Sequence, residues 1–262
     1  MAPTGFHGLL GLILASLVDK KHQYVRIGLV MGSVVPDLDV LGSVLIFLFT
    51  ANTELTIAFH RSVTHSLVLI SLILVVAYFA SLWFVSAKTI YFPLTIGLVI
   101  GMVLHVFLDL FYFDGVTLFW PFQHLDERII VLPFTYEDLS PDFNFLTSKI
   151  IGTLDGHFEL IFYLMFVRLA NKYQTNQELE LVGGKIKVHN WPNKLKWFSY
   201  FLIVEMIFFL LFAFLSISWP SIDRNTFFII LYIPLTPIYL FSGLLPFLMR
   251  ETIIQIEKRQ FI

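Results

Sequence analysis

Long apolar runs, interrupted at few polar positions, organise this chain. Residues 66–86 carry no charge, 89–108 none apart from a proton on His105, 227–249 none, and 197–219 only Glu205. A helix needs about 20 apolar residues to cross a hydrocarbon core, and each of these runs is long enough. Residues 150–170 are apolar but interrupted by Asp155, His157 and Glu159, with Arg168 near the end. Residues 8–18 form a shorter run. Residues 27–35 and 40–50 are separated by Pro36-Asp37-Leu38-Asp39 and read as two halves of one broken span, 24–50. The expected fold is an all-α polytopic transmembrane helical bundle of about six to seven membrane segments, with one broken helix.

Between the runs, 114–149 reads as a long outer loop and 171–196 as a polar, basic inner loop. The loop 114–149 holds two short runs rich in branched and aromatic residues, 116–122 and 128–134. They could pair as a hairpin. They could equally lie in the membrane interface, anchored by Trp120 and the Phe residues. The domain reading is therefore 1–170 for a membrane domain, 171–196 for the inner loop and 197–262 for a C-terminal helical hairpin.

Composition narrows the class. Hydrophobic residues make up 57% of the 262, charged residues 14%, and mean hydropathy is +0.80. Soluble domains carry about 25% charge, so a soluble globular chain and a disordered one are both excluded. With 17 Lys+Arg against 19 Asp+Glu, no nucleic-acid partner is expected. Membrane lipid is the expected surrounding. Basic residues collect on the cytoplasmic side of membrane proteins. With the N-terminus outside and the C-terminus inside, thirteen of them fall inside, from Lys20, Lys21 and Arg26 to Lys258 and Arg259, and only Arg61, Arg128, Lys149 and Arg224 fall outside. Cysteine is absent. Disulfides, thiolate metal sites and Cys nucleophiles are excluded, so a metal here must take nitrogen and oxygen ligands.

Ionisable residues inside apolar segments are costly, by roughly 2.5–3.5 kcal/mol each on insertion scales, and mark function. They cluster in the first 110 residues. His105 and Asp109 are spaced i,i+4, which puts both on one helical face. Such a pair can grip one ion, or the carboxylate can orient the imidazole. The blander reading is a hydrogen bond that packs two helices. Asp37 and Asp39 follow Pro36, which disfavours helical geometry at Val35. A broken backbone there lets both carboxylates turn to one point, where their repulsion calls for a cation. The alternative is a solvated loop mistaken for a span. His60 and His65 are i,i+5, about 140° apart on a helical wheel, so they cannot share an ion from one regular helix. Ser62 or Thr64 is the expected N-cap of the helix that follows. His60 and Arg61 then lie on the preceding loop, where Arg61 beside a helix N-terminus suits a phosphate.

His7 heads an apolar run and is a weaker candidate. Asp155, His157 and Glu159 could share a face with the site or form a polar face between helices. His22, His124 and His189 fall in loops and receive no role. On the proposed topology His7, His60, His65, His105 and Asp109 fall toward the outer ends of their helices, and Asp37 and Asp39 near mid-span. A His/Asp ligand set without thiolate suits Zn, Mn or Fe. Five to seven ligands leave room for two or more ions, and paired ions recur in phosphoester hydrolysis.

In order, His7, Gly32-Ser-Val-Val-Pro-Asp-Leu-Asp-Val-Leu-Gly42, His60-Arg-Ser-Val-Thr-His-Ser66, Leu104-His-Val-Phe-Leu-Asp109 and Asp114-Gly-Val-Thr-Leu-Phe-Trp-Pro-Phe122 resemble the YdjM-like family of membrane-bound predicted metal-dependent hydrolases. That family is grouped with the zinc-dependent phospholipase C and single-strand nuclease superfamily. The resemblance covers residues 5–122. It implies that His7, Asp37, Asp39, His60, His65, His105 and Asp109 are metal ligands. Ser62 stands where the family usually has Gly. The function expected is hydrolysis of a phosphoester, such as a phospholipid or lipid-linked phosphate, with a divalent metal, Zn first, as cofactor. Two rivals share the same residues. A carrier would use the broken helix as an ion site. A structural membrane protein would use the polar residues only to hold helices together.

Overall fold

Glycine spacing sets the central contact of the fold. A computed structural model describes residues 4–85, 87–111, 115–125, 127–129, 131, 191–219 and 245–256, with separate positions between 157 and 169 and between 222 and 240. The named helices are α1 (Thr4–Leu17), α2 (Gln23–Gly32), α3 (Asp39–Thr50), α4 (Thr53–Phe59), α5 (Leu67–Trp83), α6 (Phe92–Asp109), α7 (Trp191–Ser218), α8 (Leu245–Leu248) and α9 (Arg250–Gln255). α2 carries Gly28 and Gly32; α6 carries Gly97 and Gly101. A Cβ on Gly28 would lie 2.0 Å from the Leu94 carbonyl oxygen, and one on Gly97 would lie 2.1 Å from that of Val25. Gly32 and Gly101 meet Leu98 and Leu29 in the same way, at 2.0 and 2.3 Å. The two backbones therefore touch, as small-residue pairs four apart allow in membranes. α1 packs on another side of α2, where a Cβ on Gly11 would meet Ser33 Oγ at 2.2 Å.

The chain breaks after α2, but through a tight turn rather than extended backbone. Val35 stays helical (φ −59°, ψ −38°), and Pro36–Leu38 form a 3-10 turn. Proline takes the first position of that turn, where its missing N–H is not needed. The expectation of non-helical geometry at Val35 is thereby corrected. α2 and α3 are bent by 45° at this break. The N-cap of α5 also differs from expectation. Ser66, not Ser62 or Thr64, accepts from the Val68 and Leu69 N–H groups. Ser62 and Thr64 are engaged instead by the turn before the helix, Ser62 Oγ donating to the Phe59 carbonyl and Thr64 Oγ1 to the Pro36 carbonyl.

Among the described residues, Ala87–Asp109 and Lys196–Leu215 are long and apolar enough to cross a membrane. The bent pair Lys20–Gly32 and Pro36–Thr50 makes a third if it counts as one span. Two or three spans are fewer than the six to seven expected. The shortfall is partly one of length. α1 has 14 residues and α5 has 17, which rise about 21 and 25 Å against a core of about 30 Å. The expected segments 150–170 and 227–249 are only partly covered by the described residues. The surface is apolar where lipid would meet it, with Leu72, Val76, Leu82, Trp83, Val204 and Leu210 all exposed.

The segment after α6 folds back over the start of α5. Val116 and Ile129 exchange both backbone hydrogen bonds, at 3.1 and 3.0 Å. This single antiparallel bridge is what the described residues show of the expected hairpin. Thr117 N–H donates to the Arg61 carbonyl at 3.1 Å, and Leu67 N–H to the Leu118 carbonyl at 2.8 Å. Phe119 and Phe122 remain exposed.

Arg26 is fully buried. Its guanidinium donates to the carbonyls of Ala15 (2.7 Å), Ile254 (2.6 Å) and Ile256 (2.5 Å), tying the last turns of α1 and α9 together. Leu12, Val30, Leu202, Phe209 and Ile253 share one apolar cluster, so the C-terminal helices pack into the same core as α1 and α2. Arg26 is thus no loop charge, and neither is Arg61, which is 1% exposed. Removing both leaves twelve basic residues against three in the orientation reading.

Candidate metal centre

Five pieces of chain deliver side chains to one buried point. His7 comes from α1, Asp37 from the 3-10 turn, Asp39 from the first residue of α3, and His105 and Asp109 from α6. His60, Arg61 and His65 come from the turn between α4 and α5. All eight are buried. The α2–α6 glycine contact explains part of this convergence. His105 lies one turn beyond Gly101, and Ser33 directly follows Gly32, so close backbones bring His105 Nδ1 to 2.7 Å from the Ser33 carbonyl oxygen.

Four residues form the centre. Asp37, His65, His105 and Asp109 each offer one ligand atom, and these atoms all lie within 4.8 Å of one another. It is the one such group among the described residues. His105 Nε2 stands 3.2 Å from Asp37 Oδ1 and 3.5 Å from Asp109 Oδ2. His65 Nε2 stands 3.2 Å from Asp109 Oδ2 and 3.7 Å from Asp37 Oδ1. A carbonyl can only accept, so Ser33 fixes the His105 proton on Nδ1. Asp39 does the same for His65, with Oδ2 3.3 Å from Nδ1. Both Nε2 lone pairs are thereby turned toward carboxylates. Neither Nε2, nor either oxygen of Asp109, has a hydrogen-bond partner. Lone pairs facing carboxylates in a buried site repel unless positive charge lies between them.

Charge bookkeeping fits one divalent ion. Asp37, Asp39 and Asp109 bring three negative charges and Arg61 one positive. A single divalent cation makes the buried set neutral with all histidines uncharged; two would leave it strongly positive. Two imidazoles and two carboxylates, with no thiolate, form a donor set that a divalent cation can accept.

The remaining residues sit around that group. Asp37 and Asp39 do not converge, because two residues apart on a 3-10 turn differ by about 120° in direction. They bracket the His65 ring instead, Asp37 on the Nε2 side and Asp39 at Nδ1. Asp39 also pairs with His60 Nδ1 at 2.7 Å and accepts from the Arg61 N–H at 2.9 Å and Thr64 Oγ1 at 2.8 Å. His60 and Asp39 thus engage each other at the edge of the group. His7 stacks on His105 with ring centroids 3.8 Å apart, its Nε2 3.4 Å from Asp109 Oδ1. Arg61 has a left-handed backbone (φ 66°), and its Nε lies 3.6 Å from Asp109 Oδ2. The expected phosphate-binding Arg therefore faces a carboxylate of the centre. His157 is half-buried and lies outside the group. Asp155 and Glu159 lie outside the described residues.

Sequence reading missed three contributors. Thr4 Oγ1 donates to Asp37 Oδ2; its signal was its place three residues before His7, on the same helical face. Thr64 holds Asp39 and the Pro36 carbonyl. The paired glycines of α2 and α6 were visible as Gly28/Gly32 and Gly97/Gly101, and they place Ser33 against His105.

The model of the YdjM inner membrane protein family matches residues 1–177. The chain belongs to that family. No curated protein and no solved structure matches it. The match spans every residue of the His/Asp centre, and a family of inner membrane proteins agrees with apolar helices able to cross a bilayer.

Proposed function

We propose that the chain is a membrane-embedded, metal-dependent hydrolase of phosphoesters, such as a phospholipid or lipid-linked phosphate. The observation that carries this reading is the pair of buried imidazoles, His65 and His105, whose Nε2 atoms face Asp37 and Asp109 without a hydrogen-bond partner. Asp37, His65, His105 and Asp109 would hold one divalent ion. When bound, such an ion acidifies water and polarises a phosphoryl oxygen. Ser33 and Asp39 fix the proton positions of the two imidazoles, and Thr4 orients Asp37. Arg61 supplies the fixed positive charge for an anionic substrate once Asp109 is engaged by the ion. Lys20, Lys21 and Lys88 are carried at the ends of α1 and α5 away from the centre; by the charge rule, the centre then faces the outer side.

The test is metal analysis of the purified protein, followed by a panel of phosphomonoesters, phosphodiesters and phospholipids with and without chelator. Chelator-sensitive release of product in detergent supports the reading. A carrier is the second reading, favoured by the 45° break at the centre. It predicts solute movement into sealed liposomes and no product.

A further inference from the structure

The α3–α4 hairpin begins and ends at the centre. Asp39, the first residue of α3, and His60, which directly follows α4, are joined at 2.7 Å. Between them the chain runs out along α3, turns at 50–52 and returns along α4. Gly42 lets the two helices close, since a Cβ there would lie 2.7 Å from the Phe59 ring. No ionisable residue occurs from 40 to 53; Glu54 is the first after the turn. Leu45, Leu48 and Phe49 lie on one face of α3, at i, i+3 and i+4, and are 55%, 64% and 86% exposed.

The turn pairs several of its own polar groups. Ala51 N–H donates to the Phe47 carbonyl at 2.8 Å and Asn52 N–H to Thr50 Oγ1 at 3.2 Å. Asn52 Oδ1 accepts from Leu55 N–H at 2.9 Å, and the Asn52 carbonyl from Thr56. Irregular backbone survives in lipid only when its polar groups are paired within the protein. α3 also continues a candidate membrane span, since α2 and α3 pass as one apolar pair.

We infer that the α3–α4 hairpin is a lipid-inserted wedge, with the Leu45, Leu48 and Phe49 face set in acyl chains. Phe49 stands ten residues beyond Asp39, about 15 Å along the helix. Apolar surface then extends from the centre in both directions, along α5 and α6 one way and along α3 the other. The centre lies below the membrane surface and is approached from lipid. Joined to the hydrolase reading, on which this last step rests, that depth assigns the substrate to phosphoesters carried by lipids.

The absence of cysteine makes the test direct. L45C and F49C each place a single thiol on the exposed face of α3, and K21C places one at the polar turn before α2. Each is labelled with a nitroxide in lipid nanodiscs, and collision with oxygen is compared with collision with a water-soluble nickel chelate. Oxygen is expected to win several-fold at L45C and F49C, more strongly at L45C, and the chelate at K21C. Chelate access at L45C and F49C equal to that at K21C overturns the wedge. So does shielding from both reagents, which would mean that protein covers the face. Neither metal nor turnover enters this measurement, so failure of the hydrolase reading is separately visible.

Discussion

His105 Nδ1 and the Ser33 carbonyl oxygen lie 2.7 Å apart, across the line where α6 and α2 touch. The contact joins the fold to the chemistry. It exists because Gly32 and Gly101 let the backbones meet, and it leaves His105 Nε2 as a lone pair aimed at Asp37.

Widening that contact should therefore damage the centre from a distance. Gly101→Leu would drive a side chain into the Leu29 carbonyl and Ser33 N–H. Overpacking typically costs about 1–3 kcal/mol, and here the obstacle is backbone, so the upper end or more is expected. Thermal unfolding in detergent and bound metal should fall together. A variant of normal stability and full metal content would show that the α2–α6 spacing does not position His105.

Asp39 and Asp37 should behave differently although they are two residues apart. Asp39→Asn keeps the four-residue group but loses a charged partner of His65 and His60. Partners of ligands of this kind are worth about 10–100-fold in metal affinity. Competition with a chelator should show that loss for Asp39→Asn and loss of binding for Asp37→Asn. Equal effects would place Asp39 on the ion itself.

The sequence made the centre more legible than the fold around it. Spacing marked His105 and Asp109 as one face, and the polar interruptions of apolar runs marked Asp37, Asp39 and His65, because an unpaired ionisable group in an apolar run is conspicuous. What spacing could not show was direction. The expectation that Asp37 and Asp39 meet at one point treated the Pro36 break as open chain, whereas a single 3-10 turn separates the two carboxylates around His65. Hydropathy likewise located apolar helices without saying where they turn. Its broken span 24–50 passes as one bent apolar pair, but it gave no sign that the hydrogen-bonded turn at Thr50, Ala51 and Asn52 sends α4 straight back to Asp39. Arg26 was counted as a loop cation because its three carbonyl partners come from α1 and from residues more than 200 positions away.

Arg26 should be structural. Arg26→Met removes three hydrogen bonds from a charged donor in a buried site, and such bonds are worth about 1.5–3 kcal/mol each. A drop in stability of about 3 kcal/mol or more is expected. Arg26→Lys should not restore it, because an ammonium cannot fork to three carbonyls from three directions. Thermal unfolding measures this, and a fully stable Arg26→Lys would refute the fork.

Metal retention should depend on pH in one direction. Imidazole ligands must be neutral and carboxylates ionised, so binding the ion releases protons. Affinity is expected to weaken steadily as the medium is acidified, measured by dialysis against a fixed free-metal concentration. An affinity that is unchanged or stronger in acid would argue against His65 and His105 as ligands.

Metal content of the purified protein tests the centre most directly. One equivalent of a divalent ion per wild-type chain is expected, and none in a folded His105→Ala/Asp109→Ala double variant. Wild-type protein that binds no divalent ion when supplied with Zn or Mn, or a double variant that holds as much as the wild type, would contradict it.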